Sequence, residues 1–141
     1  MIPSDPLSGL RGKQAFLADL ARLVWLGQPF GLLLVDIDSL KAVNGFALHA
    51  RGDEMLRRTA QAIVATGPDK SLAFRYGGDE FAVLLPAATT GEAVELGERI
   101  CAAVAVIEVP VSDEPDPAQP TCRARLGWRA IPLKGRRTAR S

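Results

Sequence analysis

Leu72-Ala73-Phe74-Arg75-Tyr76-Gly77-Gly78-Asp79-Glu80-Phe81-Ala82-Val83-Leu84-Leu85 holds two strand-like runs, Leu72–Tyr76 and Phe81–Leu85, on either side of a glycine pair. Paired glycines between such runs predict a β-hairpin, because tight two-residue turns need positive φ and glycine adopts it without a Cβ clash. Two carboxylates, Asp79 and Glu80, follow the turn at once. As successive strand residues they are expected on opposite faces, so the two cannot serve one metal ion in the same way.

Upstream of this hairpin, Phe30–Val35 is an unbroken apolar run, the pattern of a strand buried on both faces, and it ends in Asp36-Ile37-Asp38. Before it, Lys13–Leu26 carries Phe16, Leu20, Leu23 and Val24 at helical spacing and is stopped by Gly27-Gln28-Pro29. Arg51–Val64 reads as a second helix with Leu56, Ala60 and Ile63 on one face, and Gly67-Pro68-Asp69 reads as a loop. Downstream, Glu92–Ile107 repeats Ala93, Leu96, Ile100, Ala103 and Ile107 at three-four spacing, with acids early where the helix dipole favours them. Glu108–Pro120, with four prolines and four acids, reads as loop. Thr121–Ala130 is a candidate last strand, although Arg123, Arg125 and Arg129 argue against a central place. The order helix, strand, helix, hairpin, helix, strand predicts an α/β sandwich with a mixed sheet.

A chain of 141 residues, 48% hydrophobic and 23% charged, suits one globular domain. No apolar run approaches the roughly 18 residues of a membrane span, and Met1–Asp5 lacks the pattern of a signal peptide. Cys101 and Cys122 are too few for a disulfide framework or a zinc site and read as small buried side chains in a reducing cytoplasm, the expected location. Residues 1–122 carry 16 acidic and 10 basic side chains, net −6, whereas residues 123–141 carry seven basic ones and no acid. Such an end can meet nucleic acid or an anionic membrane. The preferred reading is a solvated basic tail over 131–141, with nucleic acid not expected as a partner.

The two acidic clusters suggest chemistry. Mg²⁺ takes hard oxygen ligands and keeps waters or substrate phosphates in the rest of its shell, so one or two protein carboxylates suffice. Glycines at 77 and 78 would let a phosphate or base approach the backbone. The plainer alternatives stay open: Gly-Gly-Asp is also a common turn, and an Asp after a strand is often a helix cap.

Four segments carry a resemblance. Arg75–Pro86 contains Gly-Gly-Asp-Glu-Phe; Asp36-Ile37-Asp38-Ser39-Leu40-Lys41-Ala42-Val43-Asn44 is similar to D-I-D-x-F-K-x-I-N; His49-Ala50-Arg51-Gly52-Asp53 matches H-x-x-G-D; Asp5-Pro6-Leu7-Ser8-Gly9-Leu10 is similar to D-x-L-T-G-L. In this order and spacing, over about residues 5–107, the chain resembles the GGDEF family of diguanylate cyclases, which join two GTP molecules into cyclic di-GMP.

The resemblance implies a nucleotidyl cyclase fold over residues 5–130, palm-like and ferredoxin-like, with a central mixed sheet flanked by helices. It implies Mg²⁺ (or Mn²⁺) held by Asp36, the Ile37 carbonyl and Asp79. Asp79 would also accept the proton of the attacking hydroxyl, and Glu80 would be required beside it. Asn44 and Asp53 would read the guanine edge, with His49, Ser39, Leu40, Lys41, Gly77 and Gly78 around the nucleotide. Each domain would hold one GTP, so catalysis would need a homodimer. The alternative is an inactive GTP-binding regulatory module. Two departures bear on this choice. Pro68 and Ser71 stand where many cyclases carry the R-x-x-D of product inhibition, so no feedback through that site is expected. Ile131–Ser141 is too short for the family's last helix and strand, which would leave one sheet face uncovered, and only Lys134, Arg136 or Arg137 could replace that helix's triphosphate contacts.

Overall fold

The computed structural model describes residues 4–37, 49–67, 69–110, 121–123 and 126–133, with side chains described for 4–37, 52–67 and 69–107. In chain order the elements are β1 (Arg11–Gly12), α1 (Lys13–Leu26), β2 (Phe30–Ile37), α2 (His49–Ala65), a 3₁₀ turn (Lys70–Leu72), β3 (Ala73–Arg75), β4 (Glu80–Pro86), α3 (Thr90–Ala105), β5 (Glu108–Pro110), β6 (Thr121–Arg123) and β7 (Leu126–Leu133). Five strands form one mixed sheet in the order β1-β3-β4-β2-β7. The β1–β3 pair is parallel, and β2 runs antiparallel to both β4 and β7.

Strand alternation divides the core into two layers. Leu33, Val35 and Ile37 of β2 join Phe81 and Val83 of β4 in one buried cluster, with Met55, Leu56, Ala60 and Ile63 of α2 and Ala93, Leu96, Ile100 and Val104 of α3. Phe30, Leu32, Phe74, Ala82 and Leu84 form the other with Ala15, Phe16 and Leu23 of α1. Burying each large apolar side chain contributes about 1.5–3 kcal/mol, which makes these layers the main source of stability. The expected α/β sandwich with a mixed sheet is therefore the observed architecture.

Helix α1 has the expected bounds. It ends because Gly27 takes the left-handed conformation at φ 72° and its amide caps the Val24 carbonyl. Val24, expected on the buried side, is exposed, as are Leu17, Trp25 and Leu26. Helix α2 starts at His49 instead of Arg51. Helix α3 starts earlier too, at Thr90, because Thr89 and Glu92 form a capping box: the Thr89 hydroxyl accepts from the Glu92 amide at 3.1 Å, and Glu92 accepts from the Thr89 amide at 3.3 Å. That helix ends at Ala105, so Ile107 lies beyond it.

Three further expectations are corrected. The segment read as loop from Glu108 begins as strand β5, paired with β6. A short strand at the edge of a two-stranded sheet accepts Pro110 because an unpaired edge does not need its missing N–H. The last sheet strand is Leu126–Leu133, separate from Thr121–Arg123 and running past Ala130. Among the described residues its one strand neighbour is β2, so the strand that carries Arg129 occupies an edge, not a centre. Cys101 is half-buried instead of buried; burial, with Glu98 nearby, pushes its thiol up from the ordinary value. Among the described residues no helix is long and apolar enough to cross a membrane.

Candidate functional site

The acidic residues meet at one end of β2 and β4. Register places Asp36 directly across from Glu80 in the antiparallel pair. Asp36 continues the Phe30–Leu32–Leu34 row and Glu80 the Ala82–Leu84 row, so both belong to the α1 face of the sheet. Asp36 is exposed, while Asp79 and Glu80 are half-buried. Strand β2 continues through Asp36, paired with both β4 and β7, to Ile37, paired with β7.

Asp79 is not a strand residue, contrary to the alternation expected from sequence. It sits in the bend before β4, and its carbonyl accepts the Ile37 amide at 3.1 Å. The chain from Tyr76 to Glu80 is also not a two-residue turn: the amides of Tyr76 and Gly77 both donate to the Glu80 carbonyl, at 3.0 and 3.3 Å. Neither Gly77 nor Gly78 has positive φ. A Cβ at Gly77 would lie 3.0 Å from Glu80 Oε2 and 3.1 Å from Glu80 Cβ, close enough that the Glu80 side chain would have to give by a few tenths of an ångström.

Burial first, then Glu80, and then the charges of Asp36 and Asp79 push the Tyr76 phenol up to about 12. One hydroxyl thus feels all three acids.

Arg75 ties this bend to the start of the chain. Its Nη1 donates to both carboxylate oxygens of Asp5 at 3.1 Å, and its Nη2 donates to the Gly78 carbonyl at 2.7 Å. Asp5 also accepts from the Ser8 amide at 2.8 Å and the Ser8 hydroxyl at 2.7 Å. Partial burial works to raise the Asp5 carboxyl, but the Ser8 and Arg75 contacts outweigh it and hold the group below its ordinary 3.8. A carboxyl with a depressed folded value stabilises the fold above its unfolded value and loses that contribution as pH falls through the folded one. Stability should therefore drop on acidification below about pH 4, and Asp5→Asn should flatten that part of the profile. Urea midpoints measured from pH 6 down to pH 2 check this.

Asp53 occupies the second turn of α2 and is exposed, while its neighbours Gly52, Met55 and Leu56 are buried. That helix packs on the sheet face opposite Asp36 and Glu80. His49 is the first residue of α2. Ser39, Leu40, Lys41 and Asn44 lie outside the described residues. Of the residues singled out by sequence, the structure brings together Asp36, Ile37, Gly77, Gly78, Asp79 and Glu80. The Arg75–Asp5 link was not legible beforehand: it depends on side chains far apart in the chain meeting.

Among the described residues no group of three or more His, Cys, Asp or Glu side chains is arranged to hold an ion alone. A groove of about 470 Å³ lies at the far end of β4, between Gly67–Leu72 and Pro86–Arg99, away from the carboxylates.

The family model described as diguanylate cyclase, GGDEF domain, matches residues 3–140. Diguanylate cyclase VdcA of Vibrio cholerae is 40% identical over 82 residues, covering 58% of this chain and 24% of that protein. Response regulator PleD of Caulobacter vibrioides is 36% identical over 101 residues, covering 69% of this chain and 22% of that protein. The chain thus spans less than a quarter of the length of these curated relatives. Diguanylate cyclase SiaD of Pseudomonas aeruginosa, solved in complex with its activator SiaC, matches with TM-score 0.80 at 27% identity over 96% of this chain and 51% of that chain. The GGDEF domain of DgcB from Caulobacter crescentus, solved with c-di-GMP, matches with TM-score 0.76 at 26% identity over 95% of this chain and 79% of that chain. With the sequence match running nearly end to end and the same fold around Gly77-Gly78-Asp79-Glu80-Phe81, this chain belongs to the GGDEF family of diguanylate cyclases.

Proposed function

We propose that this domain condenses two GTP molecules into cyclic di-GMP with release of two pyrophosphates, using Mg²⁺ (or Mn²⁺) and working as a two-fold homodimer. The observation that supports it most is the register of Asp36 against Glu80, with Asp79 bonded through its carbonyl to Ile37. This gathers hard oxygen donors at one open strand end. Two carboxylates and the Ile37 carbonyl suit Mg²⁺, which leaves the rest of its shell to water and phosphate. When bound, the ion supplies charge that neutralises the triphosphate and lowers the pKa of the attacking hydroxyl.

In this reading Asp79 accepts the proton of the 3′-hydroxyl of one GTP as it attacks the α-phosphorus of the other. Glu80 stands beside it. Asp53 accepts from guanine N1–H and N2–H, and the Asn44 amide both donates to the ring and accepts from its amine. The backbone amides of Ser39, Leu40 and Lys41 cradle phosphates, with His49, Gly77 and Gly78 lining the nucleotide.

Incubating the protein with GTP and Mg²⁺ and separating the nucleotides by chromatography tests the proposal. Cyclic di-GMP and pyrophosphate are the expected products. GTP that binds and stays intact would instead mark an inactive GTP-binding module. Asp53→Ala should reduce discrimination between GTP and ATP by about tenfold or more, the worth of hydrogen bonds to a charged group. Competition between the two nucleotides measures it, and unchanged selectivity would remove Asp53 from the guanine site.

A further inference from the structure

We propose that Arg75 is a positioning residue for Asp79: it holds the Gly78 carbonyl, and with it the peptide group that leads into Asp79, while Asp5 keeps the guanidinium aimed. The proposal deepens the cyclase reading above and rests on it.

Asp79 lies in a bend directly after two glycines, the residues with the most backbone freedom to lose. A carboxylate in such a place keeps one position only if the peptide groups on both sides of it are held. On the C-terminal side the Asp79 carbonyl accepts from the Ile37 amide at 3.1 Å. On the N-terminal side the Gly78 carbonyl accepts from Arg75 Nη2 at 2.7 Å and from Arg75 Nε at 3.2 Å. A carbonyl oxygen shares one plane with the amide that follows it, so fixing the Gly78 oxygen fixes the plane from which the Asp79 Cα departs. The Tyr76 and Gly77 amides, bonded to the Glu80 carbonyl, close the base of the bend. Arg75 reaches its tip.

Arg75 can act as a brace because both ends of its side chain are fixed. Its Cα is paired with Phe81 of β4 on one side and with Gly12 of β1 on the other. Its Nη1 donates to both Asp5 carboxylate oxygens at 3.1 Å. Asp5 is held in turn. The Ser8 amide and hydroxyl donate to its Oδ2 at 2.8 and 2.7 Å. Its own amide donates to the Leu10 carbonyl at 2.6 Å, and its carbonyl accepts from the Gly9 amide at 2.8 Å. Leu10, at the end of this turn, is buried in the same apolar layer as Ile37 and Phe81. The planar guanidinium lets one cation serve a carboxylate and a carbonyl together, a geometry that a lysine ammonium does not offer. The turn from Asp5 to Leu10, the end of β3 and the tip of the glycine bend thus form one hydrogen-bonded unit that sets the backbone of Asp79.

Two measurements test this. The chain has two Gly–Asp peptide bonds, Gly52–Asp53 and Gly78–Asp79, so protein labelled with ¹³C at glycine carbonyls and ¹⁵N at aspartate shows two carbonyl–amide cross-peaks. Asp53→Asn removes one and so assigns the other. The Gly78–Asp79 peak should move in Arg75→Lys, because the carbonyl loses its two-nitrogen donor, and should move the same way in Asp5→Asn. An unmoved peak in Arg75→Lys overturns the brace. A peak that moves there but not in Asp5→Asn overturns the aiming by Asp5. Turnover is measured well below the thermal midpoint of each variant. Misplacing a reacting group by about 1 Å can cost about 10²-fold in rate. A bend that relaxes by part of that distance should lower kcat of Arg75→Lys about tenfold, with KM for GTP within about twofold. Unchanged kcat overturns the positioning role and leaves Arg75 a contact of the fold alone. A rise in KM at constant kcat also overturns it, since that pattern marks a substrate contact. If Arg75→Lys does not fold, Asp5→Asn carries both tests with the same readings. A wild-type protein that makes no product removes the cyclase reading, and the cross-peak comparison then decides the brace by itself.

Discussion

Asp79→Ala is expected to abolish cyclic di-GMP formation and Mg²⁺-dependent GTP binding while the domain stays folded. The structural part of this result follows from which atoms of Asp79 hold the fold. Its link to β2 is the main-chain carbonyl, which accepts from the Ile37 amide at 3.1 Å and survives the substitution. Its side chain is half-buried in a bend and belongs to neither apolar cluster. Substitutions at such positions usually change stability by no more than about 0.5 kcal/mol. Removing one of three neighbouring negative charges also relieves repulsion. The functional part follows from the proposed chemistry, in which this carboxylate is both ligand and proton acceptor. Loss of a positioned general base alone costs about 10²–10⁴-fold in rate. Product chromatography, calorimetric GTP binding with and without Mg²⁺, and a thermal melt of the same sample check the three statements. Turnover retained in the variant would move the metal away from this bend.

The second large effect is on stability. Phe74→Ala should destabilise the domain by about 3–5 kcal/mol, the range for removing a buried phenylalanine. Phe74 is fully buried on β3, in tilted contact with Phe16, and the Arg11 guanidinium lies 5.3 Å from its ring centroid. Arg11 also bonds Asp19 of α1 at 2.6 Å and the Ser71 carbonyl at 2.9 Å. The ring therefore stands where α1, β3 and the turn before β3 meet, and alanine would leave a cavity that these elements could not close together. Trp25, by contrast, is 77% exposed. Trp25→Ala should change stability by less than about 0.5 kcal/mol although it removes more atoms. Urea denaturation of both variants measures the contrast. Equal losses would mean that Trp25 is covered in solution.

The comparison of these two aromatics shows what periodicity can and cannot tell. Helical spacing correctly placed Phe16 and Leu23 on the buried side of α1. The same spacing included Val24, which is exposed, because a helix facing one layer of a sheet buries a narrow stripe and leaves its flanks in water. The start of α3 is set by the capping box of Thr89 and Glu92, a stronger signal than the apolar repeat, which points to Glu92 as the first residue. Prolines between Glu108 and Pro120 argued for a loop, yet β5 forms there, since an edge strand does not need every N–H.

What the linear order of residues determined by itself was the set of elements and the chemistry brought to the site. Unbroken apolar runs bounded by turn residues, and apolar repeats of three to four, specify strands and helices through local geometry alone, and carboxylates after a buried run and after a glycine pair are visible as such. Which carboxylates meet was decided by pairing. Only the antiparallel register of β2 and β4 sets Asp36 against Glu80, and a one-residue slip would put them on opposite faces. The bend that removes Asp79 from strict alternation and the Arg75 bridge to Asp5 likewise exist only after folding. Each needs groups that local propensity cannot place, because hydrogen bonds and ion pairs act over a few ångströms and the chain must first collapse to bring them that close.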